Sequence, residues 1–285
     1  GGSTLNSMRV CAWMFDDTKR AAYMGCIGTD KFGDILESTT VEAGVECFFM
    51  KDPDTATGTC AVCITDKERS LVANLAAANN FKIDHCQKDK AKQLIAAAKV
   101  IYTAGFFVTV SPDTMIMFGK ECQAAKKPYC LNLSAEFITT VFKEQLLKVF
   151  PFVDILFSNE DEAKSFGKAN GIESKDMKEL AQKISKLATT KENPARTVVI
   201  TQGCDPVVVA KGDKVNEYPV KKISKEKIVD LNGAGDAFVG GFLSQYVQGE
   251  DEGSCVAAGT YCAQYIIQRA GTKLEGKPQF VAQKK

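Results

Sequence analysis

Histidine is almost missing from this chain: His85 is the only one among 285 residues. A zinc site that draws on several histidines has nothing to be assembled from, and a triad built on an imidazole base would have to use this one residue. Lying in the polar segment Lys82–Lys92, His85 itself is expected to be solvated. No apolar run reaches about 18 residues and no basic-then-apolar leader opens the chain, so nothing in it marks membrane insertion or secretion. A charge excess is lacking too: 36 basic residues face 35 acidic ones, which leaves no basic footprint for nucleic acid or an anionic membrane. The pattern G-x-x-x-x-G-K-[ST] does not occur, so any phosphate chemistry is not of the P-loop kind. No repeat or low-complexity linker divides the chain. The expectation is a soluble monomer of the cytoplasm, with the nucleus as the alternative, and with small-molecule partners.

What is present fits one large α/β domain: 45% of the residues are apolar, enough to bury a sizeable core. Eleven cysteines are scattered among apolar segments and their number is odd, so they read as reduced core residues. Cys60 and Cys63 form the only C-x-x-C. Their segment Thr57–Ile64 has strand character, and a spacing of three on a strand points side chains to opposite faces, against a redox or metal pair.

The stretch Lys227–Leu243, K-I-V-D-L-N-G-A-G-D-A-F-V-G-G-F-L, reads as a strand at Ile228–Val229, a glycine turn and then a helix. Gly233 and Gly235 allow positive φ and a close approach of backbone N–H groups to a ligand. The new helix aims its positive end at the same place, which makes Gly233–Asp236 an anion cradle. Asp236 in the first helical turn is favoured by the dipole and would face whatever the cradle holds. A phosphate donor beside a carboxylate suggests phosphoryl transfer to a hydroxyl. An ordinary glycine turn with Asp236 as a helix-start residue is the plain alternative. A dinucleotide fingerprint fits poorly, since Gly240 rather than a glycine three residues on follows Gly235.

From Gln87 onward helix and strand patterns alternate: helix to Ala98, strand Val100–Ala104, helix Pro112–Ala125, strand Tyr129–Leu133, helix Phe137–Val149, strand Val153–Phe157 and strand Thr197–Thr201. Such alternation predicts βαβ units and a parallel sheet buried on both faces, with ligands beyond the carboxyl ends of the strands. Val207–Ala210 and Val215–Val220 predict a hairpin, Gly253–Arg269 a second long helix, and Thr272–Lys285 a polar surface tail. Earlier, Ala21–Gly28 reads as a strand and Asp30–Gly44 as a helix. Val45–Met50, Thr57–Thr65 and Arg69–Leu75 then read as three strands of a small sheet. Gly1–Ser7 resembles a glycine turn opening a helix, with Met8, Cys11, Ala12 and Phe15 along one side.

The motif D-L-N-G-A-G-D-A-F-V-G-G-F resembles the C-terminal signature of the ribokinase-like sugar and nucleoside kinases. The likeness runs in order through G-G-S-T-x-N-S, G-C-I-G-x-D-K-F-G, T-G-T-C-A, R-S-L-V-A-N-L-A-A-A-N, A-G-F-F-x-T-V-S-P, L-N-L-S-A, D-I-L-F-x-N-E-x-E-A and T-Q-G. It implies a three-layer α/β/α fold with a mostly parallel central sheet and a small β lid, to which residues of about 45–75 contribute strands. It also implies ATP-dependent phosphorylation of adenosine at its 5′-hydroxyl to give AMP, a purine-salvage reaction.

Carried onto this sequence, the resemblance implies Asp236 as catalytic base, the N–H groups of Gly233, Ala234 and Gly235 as an anion hole, and Arg69 reaching the transferred phosphate. Gly2, Ser3 and Asn6 would lie against the ribose. Cys60, Leu71 and Ala73 would line the nucleoside pocket, and Phe106 would stack on the purine. Asn159, Thr201, Gly203 and Asn232 would contact ATP. Asn159 and Glu162 match the N-x-x-E element that helps hold Mg²⁺ through water, although part of that acidity suits a helix start in its own right. Many members respond to K⁺, whose ligands the sequence does not place. The family pattern has roughly sixty residues ahead of Gly1, carrying a first core strand and an aspartate for the ribose hydroxyls; without them an edge is left unpaired. A non-catalytic nucleoside or nucleotide binder, or another ribokinase-like sugar kinase, therefore stands beside the first reading.

Overall fold

A computed structural model describes residues 2–15, 20–65, 68–190 and 196–281. They form two compact units: Gly1–Leu94 with Ile223–Lys285, and Ile95–Lys222.

The first unit begins with helix α1 (Ser3–Met14). Two short strands, β1 (Ala21–Tyr23) and β2 (Cys26–Gly28), stand where the sequence suggested one, because Gly25 interrupts them. Helix α2 (Lys31–Glu42) is capped by Asp30, whose carboxylate accepts from Gly33 N at 2.8 Å. Strands β3 (Val45–Cys47) and β4 (Met50–Asp52) return parallel to β1 and β2, respectively. The antiparallel hairpin β5 (Thr59–Thr65) and β6 (Glu68–Asn74) is a two-stranded sheet of its own. Val45–Met50 therefore does not join it: the α2 crossover delivers that segment parallel to the strands that precede it.

His85 corrects the expectation of a solvated imidazole. It is 3% exposed, stacks on Phe48 with ring centroids 4.4 Å apart, and Nε2 donates to Phe48 O at 2.9 Å. Apolar Phe48 and Phe81 flank it from segments the local polar composition did not reveal. Helix α3 (Asp89–Ala97) follows.

In the second unit, β7 (Ile101–Ala104), α4 (Pro112–Ala124), β8 (Tyr129–Asn132), α5 (Glu136–Thr140), α6 (Lys143–Val149), β9 (Ile155–Asn159), α7 (Glu160–Ala169), α8 (Met177–Ser185) and β10 (Thr197–Gln202) alternate. Strands β7 to β10 are parallel neighbours, and β11 (Asp205–Lys211) and β12 (Lys214–Tyr218) add an antiparallel hairpin to complete a mixed six-stranded sheet. Val198, Val199 and Ile200 are consecutive and all 0% exposed, so both faces of the sheet are buried there. Arg196, at the start of β10, is 2% exposed and donates to the carbonyls of Phe150, Val153, Ile184, Leu187 and Ala188.

The chain then returns to the first unit through α9 (Ala234–Tyr246) and α10 (Glu252–Ile267). Two glycines set this packing. A Cβ on Gly240 would lie 2.4 Å from Ser7 O on α1, and one on Gly241 would lie 2.4 Å from Ala258 O on α10. The Gly-Gly pair thus lets both partner helices approach the backbone of α9, and its place in the sequence reflects packing rather than phosphate binding. Trp13, Tyr261, Tyr265, Leu274 and Phe280 close over the cluster formed by α1, α9 and α10, so the segment 272–280 is a strap anchored at Leu274 and Phe280, while Lys273, Glu275, Gly276, Lys277 and Gln279 are exposed as expected of a surface tail. Of the cysteines, Cys60, Cys63 and Cys204 are exposed rather than core, and all eleven are free. No helix among the described residues is long and apolar enough to cross a membrane.

Candidate active site

The start of α9 is built by three devices. Gly233 is its N-cap in the left-handed region, at φ 79°, and a Cβ there would meet Thr272 Cγ2 at 2.6 Å, so both conformation and space demand glycine. Gly235 is exposed, with nothing within 4 Å of the place a Cβ would occupy, which leaves room in front of the helix. Asp230 is 1% exposed and ties the loop down: Oδ1 accepts from Asn232 N and Oδ2 from Gly271 N, each at 2.9 Å. Asp230 is not among the candidates named from the sequence, although an aspartate two residues before the amide it holds is an Asx-turn signal.

Ile228–Val229 is not a strand. Val229 N and Asp230 N both donate to Ile267 O at the end of α10, at 2.8 and 3.2 Å, and Val229 is 47% exposed. Two β-branched residues in a row favour extended backbone, but a ladder also needs a neighbour, which a helix end replaces here.

Asp236 sits in the first turn of α9, partly buried, and the amino-terminal motif comes to it. Ser3 Oγ donates to Oδ1 at 2.6 Å and Asn6 Nδ2 donates to Oδ2 at 3.0 Å. Burial pushes the carboxyl above the ordinary carboxylate range, and the two donated bonds pull it part of the way back. The result is an oriented carboxylate of raised basicity beside the N–H groups of a helix start, of which Ala234 N makes one long bond, to Leu231 O at 3.4 Å. Each oxygen has used one of its two lone-pair positions, so each keeps one for a substrate proton. Gly2, exposed at φ 95°, supplies the α1 cap, and its carbonyl accepts from Asn6 N at 2.9 Å. Asn232 is exposed beside the turn.

On the β5–β6 hairpin, Cys60 lies opposite Ala73 and Val62 opposite Leu71. Alternation then puts Cys60, Val62, Leu71 and Ala73 on one face. All four are exposed, Leu71 by 53%. Arg69 pairs with Ile64 in the ladder, but its side chain lies outside the described residues.

The second unit holds the other sequence-derived residues at the carboxyl ends of its parallel strands. Phe106, just past β7, is 42% exposed and lies 6.1 Å from Phe137, which is 46% exposed. Phe137 was not singled out from the sequence, and its only signal was an aromatic close after a strand end. Asn159 and Thr201 are paired across β9 and β10. Gly203 turns into β11 at φ 58° with open space around it.

Asn159 and Glu162 form a complete capping box: Asn159 Oδ1 accepts from Glu162 N at 2.8 Å, and Glu162 Oε2 accepts from Asn159 N at 3.0 Å. Asn159 Nδ2 also donates to Oε1 at 3.0 Å. Burial raises the Glu162 carboxyl, opposed by the backbone bonds from Asn159 and Ser134. With both oxygens engaged, this donor set fits a hydrated Mg²⁺ reached through water, not one stripped and bound directly. Ser134, at φ 68° without being glycine, accepts from Gly105 N at 2.9 Å and donates its own N–H to Asn132 Oδ1 at 3.0 Å, joining the ends of β7 and β8.

Fold and motifs together define a kinase scaffold with an acid at a helix-start anion turn. Residues 1–279 match the model of the pfkB family of carbohydrate kinases, and the chain belongs to that family. It is 46% identical over 280 residues to adenosine kinase 2 of Arabidopsis thaliana, covering 98% of this chain and 81% of that one. It is 40% identical over 284 residues to the adenosine kinase of Dictyostelium discoideum, covering 98% and 83%. Among solved structures it resembles Anopheles gambiae adenosine kinase in complex with P1,P4-di(adenosine-5) tetraphosphate, with a TM-score of 0.94, 40% identity, and coverage of 98% and 83%. The ribokinase-like α/β fold expected from the ordered motifs is thereby borne out.

Proposed function

We propose that this protein transfers the γ-phosphoryl group of ATP to the 5′-hydroxyl of adenosine, giving AMP and ADP in purine salvage. The observation that carries the reading is the Asp236 carboxylate, fixed by Ser3 and Asn6 in front of the Gly233–Gly235 turn. Similarity over nearly the whole chain to proteins named adenosine kinase supports the choice of acceptor.

In the proposed reaction Asp236 accepts the 5′-hydroxyl proton as that oxygen attacks the γ-phosphorus and the bond to the ADP oxygen breaks. A positioned carboxylate base contributes about 10² to 10⁴ in rate. The N–H groups of Gly233, Ala234, Gly235 and Asp236 are assigned to the charge that spreads over the phosphoryl oxygens, and such preorganised donors act most strongly where water is excluded. Ser3 and Asn6 serve chiefly to aim the base, and Gly2 and Asn6 to approach the ribose. Cys60, Leu71 and Ala73 offer an apolar face to the nucleoside, and Phe106 with Phe137 offers aromatic surface to a purine. Asn159, Thr201, Gly203 and Asn232 are assigned to the nucleotide, and Asn159 with Glu162 to the water shell of Mg²⁺. When bound, that ion neutralises phosphate charge.

The test is an acceptor panel of adenosine, guanosine, ribose and fructose with ATP and Mg²⁺, read by product chromatography. The proposal expects AMP from adenosine well above every other product; a preference for ribose or fructose would replace adenosine as the acceptor.

A further inference from the structure

The chain beyond α10 returns to the acid. Asp230 holds Gly271 N at 2.9 Å, which fixes the next residue, Thr272, beside the Gly233 turn. Farther on, Trp13 Nε1 donates to Gly276 O at 2.7 Å, Tyr265 Oη donates to Glu275 O at 2.9 Å, and Gln279 N donates to Tyr261 Oη at 2.8 Å. Thr272 is thus held from both sides. Its hydroxyl lies 3.4 Å from Arg9 Nη1 and 3.5 Å from Asn6 Oδ1. Both contacts are long for hydrogen bonds, as those of a free enzyme's site often are before substrate binds.

A guanidinium can only donate, whereas a hydroxyl has one proton and two lone pairs. Thr272 Oγ1 accepts from Arg9, and its own proton is directed to Asn6 Oδ1. That contact supports the orientation in which Nδ2 of the Asn6 amide faces Asp236. Asp236 enforces the same orientation only while it is ionised. Once it has taken a proton its O–H could bond Oδ1 equally well, and the amide could turn over. A donor on the far side of Asn6 holds the amide through both states.

We infer that Thr272 is a positioning residue for the proposed reaction, fixing the Asn6 amide through a hydroxyl that Arg9 orients. The inference rests on Asp236 as the base. The elements around Asp236 carry Arg9 on α1, Asp230 ahead of α9, Glu252 at the far start of α10, Arg269 beyond α10, and Lys273, Glu275 and Lys277 on the strap, where all three are exposed. Asp230 is committed to the backbone of Asn232 and Gly271, and Arg269 stacks on Tyr265 at 3.5 Å, so Arg9 is the charge wired to Thr272.

Thr272→Val keeps the methyl group against Gly233 and removes the hydroxyl; Thr272→Ser does the reverse. Thr272→Val should lower kcat about tenfold with KM for adenosine changed by less than about twofold, and Thr272→Ser should restore most of the loss. In the free protein, carbon-13 titration of the Asp236 carboxyl should give a higher pKa in Thr272→Val than in the wild type, and a wild-type value in Thr272→Ser. An unchanged titration in Thr272→Val, or equal impairment of both variants, would overturn the inference. A wild-type protein without turnover would overturn the proposed reaction instead, and the titration would still decide the role of Thr272.

Discussion

Ser3 Oγ donates to Asp236 Oδ1 at 2.6 Å, joining two helix starts that lie 233 residues apart in the chain. The bond stabilises the charged carboxylate, so it opposes the rise that burial imposes. Ser3→Ala removes that opposition. The acid limb of the kcat/KM profile should then move to higher pH, with a fall in kcat of about tenfold from a loosened base. A profile measured from acid to neutral pH checks this; a limb that stays in place or moves to lower pH contradicts it.

Gly240→Ala should destabilise the protein even though alanine is the better helix former by about 1 kcal/mol. The added Cβ would sit 2.4 Å from Ser7 O, a backbone atom that cannot rotate away, so α1 must move. Overpacking of this kind costs about 1–3 kcal/mol. Because α1 also carries Ser3 and Asn6, kcat should fall along with the urea midpoint.

His85 should make stability depend on pH. Burial holds the folded imidazole below its ordinary value, opposed by the bond to Phe48 O, and the buried Nδ1 finds no partner among the described residues to receive a proton's charge. As pH falls past about 6.5 the unfolded chain binds the proton first, so stability is full above that value and is lost downward until the folded imidazole also titrates. His85→Gln cannot titrate. The gap in urea midpoint between wild type and variant should therefore narrow between about pH 7.5 and pH 5.5, and a constant gap would contradict this account.

Arg196 is a buried staple. Burial lowers its guanidinium to about 10, so it stays charged at neutral pH, lying 3.9 Å above the ring of Phe150. Arg196→Met strips five carbonyls of their donor and should cost about 3 kcal/mol in urea unfolding. Arg196→Lys should recover only part of that, since an ammonium has three donors and no fork. Full recovery by lysine would show that charge, not geometry, is what the pocket reads.

Local signals carried much of the architecture. The βαβ alternation from β7 to β10 and the capping residues of α7 are properties of neighbouring residues, and they were legible. The glycine turn before α9 was legible for the same reason. What escaped depends on partners distant in the chain. Ile228–Val229 looks like a strand because β-branched residues favour extended backbone, yet Ile267 O supplies its bonds. His85 looks solvated among lysines, yet Phe48 and Phe81 enclose it. The polar composition after Thr272 hid Leu274, which packs on the cluster of α1, α9 and α10, and Phe280, whose ring lies 5.6 Å from that of Tyr261. In the candidate site, Asp236 was evident from its motif, whereas Asp230 and Thr272 emerge only once the strap after α10 is seen beside α1.

The most direct measurement is single-turnover phosphorylation of adenosine by Asp236→Asn, run beside calorimetry of adenosine binding. Asparagine keeps the size of the side chain and can still accept from Ser3 or Asn6, but it cannot take up the 5′-hydroxyl proton. The account predicts adenosine affinity within a few-fold of wild type and a rate lower by about 10² or more. Turnover close to wild type in that variant would contradict it.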